Sequence, residues 1–171
     1  MTKNYTMNKG IVAVLLALTI LFPFNGSAQS KNALVGTWKL ISATDTTGKG
    51  QVITNAYGLN PTGFLTYTAD GRMMAIIANS GRQPLSVPDR VSAPAEERAE
   101  AFATMVAYAG RYTLRGDKVI HHIEVADVQN FVGIDAVRTI VKVEDKRVTL
   151  LAALFKGGLQ VTEELVWERM N

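Results

Sequence analysis

Residues 63–78 read GFLTYTADGRMMAIIA: two short runs, Gly63 to Thr68 and Arg72 to Ala78, on either side of Ala69-Asp70-Gly71. Glycine accepts the positive φ that a tight turn between antiparallel strands requires, so this stretch predicts a β-hairpin. The same unit recurs downstream. Arg111 to Arg115 turns at Gly116-Asp117 into Lys118 to Val125, and Asp135 to Glu144 turns at Asp145-Lys146 into Arg147 to Leu154. Gly157-Gly158 then leads to Gln160 to Arg169. Upstream, Leu34 to Thr44 supplies a first strand that ends in the Gly-rich turn Asp45 to Gly50, and Gln51 to Tyr57 reads as a weak strand or a loop. About eight short strands at hairpin spacing predict a meander rather than βαβ units. A sheet of this size removes its vulnerable edges by closing on itself. The expected fold is therefore all-β, an eight-stranded antiparallel up-and-down barrel.

One segment changes period. Between Pro94 and Tyr108, the residues Ala99, Phe102, Ala103 and Val106 recur at helical spacing. Glu96 and Glu97 suit a helix N-terminus, and Gly110 lies just beyond the far end. This predicts one helix across an opening of the barrel, with Phe102 and Val106 packed as its cap. Asn79 to Val91, with Gly81, Pro84 and Pro88, reads as a long loop.

Residues 1–28 read as a cleaved signal peptide. Lys3 and Lys9 precede the apolar run IVAVLLALTILFPF (residues 11–24), and Gly26-Ser27-Ala28 offers small residues for cleavage. The run is shorter than the ~20 residues needed to span hydrocarbon. Residues 29–33 then form a linker and residues 34–171 the barrel domain, expected in the periplasm or secreted, with no membrane span in the mature chain. There is no cysteine to carry a lipid anchor or a disulfide, so an exported domain must hold together by core burial. Without Lys3 and Lys9, 16 basic residues face 15 acidic ones. A body so nearly neutral, with no run of Lys and Arg, gives no support for a nucleic-acid partner.

Leu34-Val35-Gly36-Thr37-Trp38 resembles the Gly-x-Trp signature of the calycin superfamily, to which the lipocalins belong. Wider matches are Pro61 to Tyr67 with Asp70 to Met73, Tyr108 to Tyr112, His121-His122 with Glu124, Asn130, Gly133 and Arg138, and finally Val166 to Arg169. Together they resemble the bacterial and fungal lipocalin-like domain family over nearly the whole mature body. The resemblance implies a calycin-type barrel in which Trp38 plugs one end, Gly36 precedes it and Arg169 packs over the indole. It also implies a binding protein, or a cyclase or isomerase that uses the barrel as a vessel.

Period-two alternation sorts the candidate interior residues. On Lys118 to Val125, the apolar set Val119, His121, Ile123 and Val125 is expected inside, with His122 and Glu124 outside. Tyr112 and Leu114 are expected inside on the preceding run. On the hairpin, Leu65 and Tyr67 are expected to face Arg72, Met74 and Ile76. Arg138 shares a face with Lys142 and Glu144, which would put it outside unless a bulge near Gly133 reverses it. The expected ligand-binding set is thus Tyr67, Met74, Tyr112, Leu114, His121 and Arg138. His121 could orient a carbonyl or carboxylate, or move a proton; as a core histidine it would only satisfy a neighbour. His121 and His122 point to opposite faces and cannot share one metal ion, and His122 with Glu124 falls short of a ligand set, so no metal and no cofactor is expected. No nucleophile elbow or phosphate loop is present, which argues against a hydrolase or a nucleotide enzyme. Three readings follow. The chain binds a small hydrophobic or amphipathic molecule, or works as a cofactor-free isomerase or cyclase through His121 with Tyr112 or Arg138, or is a filled barrel with a structural envelope role.

Overall fold

The structure, a computed structural model, describes residues 32–171. The expected signal peptide and residues 29–31 of the linker lie outside the described residues. In chain order the elements are β1 (Gly36–Thr47), β2 (Val52–Thr54), β3 (Thr62–Tyr67), β4 (Arg72–Ala78), α1 (Ala95–Ala103), β5 (Met105–Arg115), β6 (Lys118–Ala126), β7 (Asp135–Val143), β8 (Arg147–Lys156) and β9 (Leu159–Arg169). A 3-10 turn, Gln129–Phe131, lies between β6 and β7. Strands β1, β3, β4, β5, β6, β7, β8 and β9 pair antiparallel in that order, and β9 pairs back onto β1 from Trp38↔Arg169 to Thr47↔Val161. This is a closed eight-stranded antiparallel barrel with one helix. The weak strand β2 is an addition, hydrogen-bonded to β1 at Thr44 to Thr46, where β3 has already parted from it.

Residues directly opposed across a ladder share a face, so the register fixes the inner rows. Three register shifts determine which side chains enter. On β1 the shift at Ile41 leaves Trp38 and Leu40 inside and passes the inner row to Ala43, Asp45 and Thr47. On β6 the row Val119, His121 and Ile123 faces inward as alternation predicts, but Glu124 is an extra residue opposite Gly110. That bulge turns Val125 out, 60% exposed, against the sequence expectation. On β7 the shift falls at Val141, well beyond Gly133, and separates Arg138 from Lys142. Arg138 lies opposite the fully buried Val119, and Ala136 lies opposite buried His121. Arg138 therefore belongs to the inner row.

The β6 bulge explains why β5 carries a glycine. A Cβ on Gly110 would sit 2.0 Å from the His122 carbonyl oxygen and 2.9 Å from the Glu124 nitrogen, both backbone atoms with nowhere to move. Gly110→Ala is expected to destabilise the barrel by about 3 kcal/mol, as overpacking does. The thermal midpoint would fall by roughly 10 °C in a calorimetric scan; an unchanged midpoint would show that the ladder can yield there.

Two further expectations are corrected. In the β3–β4 hairpin, Leu65 and Tyr67 are buried, but their partners are Ala75 and Met73, so the inner row of β4 is Met73, Ala75 and Ile77. Arg72, Met74 and Ile76 face out, with Met74 54% exposed. Alternation alone cannot choose between two apolar rows, and MMAIIA offers both. The helix is also shorter than expected. It ends at Ala103, buries no residue and leaves Phe102 exposed, while Val106 and Tyr108 belong to β5. Thr104 to Tyr108 was read as helical because Val106 matches both periods; strand pairing from Ala78↔Met105 onward prevails. The long loop packs beside α1 instead, with Arg82 donating to the Ala101 carbonyl and the Ser86 amide and hydroxyl donating to Glu97.

One end of the barrel is sealed. Trp38 is fully buried and donates its indole N–H to the Leu34 carbonyl at 2.7 Å. The Arg169 guanidinium lies 4.0 Å from the Trp38 ring centroid. It also donates to the carbonyls of Ala33, Val35 and Asp145, tying the chain entering β1 to the β7–β8 turn. Gly36 adopts φ +135, and a Cβ there would meet Arg169 Nη1 at 2.6 Å. The Gly-x-Trp motif is thus a plug closed by a cation from the last strand.

Candidate functional site

Most inner-row residues of β1, β3, β4 and β9 are buried, whereas several on the wall formed by β5, β7 and β8 are not. Val106 and Tyr108 on β5, Ala136, Arg138 and Ile140 on β7, and Leu154 on β8 are only partly buried. Two polar clusters stand inside the barrel, one on that wall and one opposite it.

The first cluster centres on His121. Its Nε2 is 2.7 Å from the Tyr67 hydroxyl and its Nδ1 3.1 Å from the Tyr108 hydroxyl. Tyr108 comes from β5, paired directly with β6, which carries His121, and Tyr67 from β3 reaches them across the interior. Burial, reinforced by the charge of Arg138 and then of His122, lowers the imidazole pKa to about 3. The ring is neutral, with one N–H and one lone pair, so one tyrosine accepts from it and the other donates to it. Burial also pushes the Tyr67 hydroxyl well above its usual pKa. Both shifts move the His121 and Tyr67 protons away from neutrality, which suits a fixed hydrogen-bonding wall rather than acid–base turnover.

The second cluster lies at the end opposite the plug. Asp45 on β1 and Glu163 on β9 are paired in register, and each is 3% exposed. Lys156, at the end of β8, reaches in to donate to Asp45 Oδ2 at 2.8 Å and to Glu163 Oε1 at 3.2 Å. Tyr57, from the connection between β2 and β3, donates its hydroxyl to Glu163 at 2.8 Å and lies under the Lys156 ammonium, 4.3 Å from the ring centroid. Burial first, then the Glu163 charge, raises the Tyr57 hydroxyl far above its ordinary range.

The residues singled out from the sequence divide as follows. Tyr67, His121 and Arg138 come together on the inner wall. Tyr112 is buried but belongs to the plug, its hydroxyl donating to the Thr68 carbonyl and accepting from Asn32. Leu114 lies in register with Val119 at the β5–β6 turn and is 43% exposed. Met74 lines an outer groove of about 250 Å³ with Thr66, Thr68, Ala109 and Val125, whose edge holds the Arg72–Glu124–Arg111 ion pairs. His122 faces out, bonded to Asp135 and Thr113. Sequence reasoning missed Tyr108, hidden in the supposed helix, and the whole Asp45–Glu163–Lys156 cluster. A signal was present for Glu163: the row Val161, Glu163, Leu165, Trp167 is otherwise apolar.

Among the described residues no helix is long and apolar enough to cross a membrane. Among solved structures, an uncharacterized protein from Bacteroides eggerthii matches with 13% identity, covering 80% of this chain and 99% of that one at a TM-score of 0.42. A redesigned β-barrel matches with 13% identity, covering 81% and 93% of the two chains at a TM-score of 0.39. No curated protein matches. The model of the lipocalin-like domain family matches residues 35–170, and the chain belongs to that family.

Proposed function

We propose that this barrel binds a small, mostly apolar molecule inside, against the wall formed by β5, β7 and β8, without chemical conversion. The observation that carries the reading is the incompletely covered wall, where Tyr108, Ala136, Arg138, Ile140 and Leu154 are inner-row residues that solvent still reaches. Apolar rows beside a few fixed polar groups make a recess suited to an amphipathic guest. The tyrosine that accepts from His121 keeps its own O–H free to donate, and Arg138, donating to the Val137 carbonyl, has further N–H groups to offer. An isomerase or cyclase would need a group able to trade protons near neutrality, and His121, held neutral down to a pKa of about 3, is poorly matched to that task. Export to the periplasm or beyond is part of the same proposal, supported by the charge and apolar pattern of residues 1–28.

The test is uptake of the neutral apolar dye N-phenyl-1-naphthylamine, followed by fluorescence, with native mass spectrometry for stoichiometry. One site per chain is expected. Ala136→Trp, which would put a bulky ring at the inner-row position opposite His121, is expected to weaken uptake at least tenfold, roughly the loss of 1.4 kcal/mol. Met74→Trp, on the outer wall, is expected to leave it unchanged. Equal uptake by the wild type and the Ala136 variant would place the dye elsewhere and defeat the reading.

A further inference from the structure

The cluster of Asp45, Glu163 and Lys156 contains two carboxylates and one ammonium, and the carboxylates are the deeply buried partners. The Lys156 side chain is 35% exposed, against 4% for each acid. An ion pair kept only for stability in such surroundings balances its charges and satisfies its lone pairs, because an uncompensated buried charge is costly. Here neither condition is met. Asp45 Oδ1 is buried and has no hydrogen-bond partner among the described residues. Tyr57 supplies a neutral donor to Glu163 and nothing to Asp45. Arg138, another cation of the inner row, acts electrostatically on His121 and Tyr67 and donates to the Val137 carbonyl, and Arg169 is spent on Trp38 and on backbone carbonyls at the plugged end. One negative charge and one unpartnered acceptor are left over in this cluster.

We propose that Asp45 and Glu163 receive the ammonium head of the bound molecule, so that the ligand is an amphipathic amine, with Lys156 as the built-in occupant that the ligand displaces or joins. This rests on the interior-binding reading and narrows it. Lys156 already shows what the pair selects: an –NH3+ group spans Oδ2 and Oε1, and a second one at Oδ1 brings the cluster to neutrality. The Tyr57 ring, already faced by a cation at 4.3 Å, offers the same cation–π surface to the newcomer. The lysine sits just before the Gly157-Gly158 turn, on a flexible four-carbon stem, and its partial exposure lets it swing towards solvent. An apolar tail would extend from this head along the inner row towards Leu154 and Tyr108.

The protein, purified after expression of the full chain, is loaded with N-phenyl-1-naphthylamine and challenged with octylammonium, 1-octanol and octanoate, which share a tail and differ in the head. Octylammonium is expected to displace the dye at a concentration at least tenfold below that of octanol, the scale of a charge-assisted hydrogen bond, with octanoate weakest. Asp45→Asn is expected to erase the preference for the amine while octanol still competes. Glu163→Gln gives a second variant should the first lose its thermal transition, and Lys156→Met is expected to sharpen the preference. Equal displacement by all three compounds overturns the amine subsite and leaves interior binding standing, as does preference for octanoate, which would put the head at Arg138. Failure of the dye to bind at all defeats both.

Discussion

Replacing Trp38 with alanine is expected to destabilise the protein by about 4 kcal/mol, the range for emptying a buried aromatic site. Trp38 is fully buried, its N–H is spent on the Leu34 carbonyl, and the Arg169 guanidinium sits 4.0 Å from its ring centroid. The loss is therefore not confined to a cavity. Without the indole, the guanidinium loses the surface on which it stacks, and its bonds to Ala33, Val35 and Asp145 lose their anchor. Arg169→Ala should cost less, about 2 kcal/mol, because the ring stays while three backbone carbonyls exchange a protein donor for water. Urea unfolding of both variants, read as midpoints at unchanged slope, measures the difference. The two losses are expected to be strongly non-additive in the double variant, since the residues touch. Full additivity would show that plug and cation act separately.

Acid is expected to weaken the fold through His121. The imidazole has a pKa of about 3 in the barrel against 6.5 when free, so between these values the unfolded chain binds a proton that the folded chain refuses. The contribution is complete above pH 6.5 and is lost as pH falls towards 3, at about 1.4 kcal/mol per pH unit. By pH 4 roughly 3 kcal/mol should be gone from this residue alone. His121→Gln, which keeps a polar side chain between Tyr67 and Tyr108, should be less stable than the wild type at pH 7 but lose less on acidification. Urea midpoints taken from pH 7 down to pH 4 for both proteins give the difference directly. Parallel curves would mean that His121 is not the group responsible.

The sequence carried the strand order and the plug because both are local signals. Gly71 between two strands marks a hairpin, and Gly36 with Trp38 marks the sealed end. What stayed hidden depends on register. Val125 and Arg138 each swap faces relative to their neighbours because one strand carries one residue more than its partner, at Glu124 and at Val141. Nothing in the local composition announces either event, although Gly110 opposite the first is its trace. Met74 was misplaced for a different reason: both rows of β4 are apolar, and only pairing with Tyr67 and Leu65 selects Met73 and Ala75. In the interior, His121 is legible as a lone imidazole in an apolar row, but Tyr67 comes from β3, three strands away round the sheet, and Tyr108 lies in a stretch whose spacing also fits a helix. Asp45 and Glu163 meet only because the last strand closes on the first.

That closure also sets when the barrel can exist. The bond from Arg169 to the Val35 carbonyl joins positions 134 residues apart, and the whole β1–β9 ladder has comparable reach. Contacts so distant in sequence form late, after a large loop entropy has been met, and barrels dominated by them fold in milliseconds to seconds rather than microseconds. A chain synthesised from its N-terminus holds β1 with a bare edge until β9 emerges. A truncated product ending before β9 (Leu159–Arg169) would keep both edges open and have no cation over Trp38, an aggregation-prone sheet in place of a barrel.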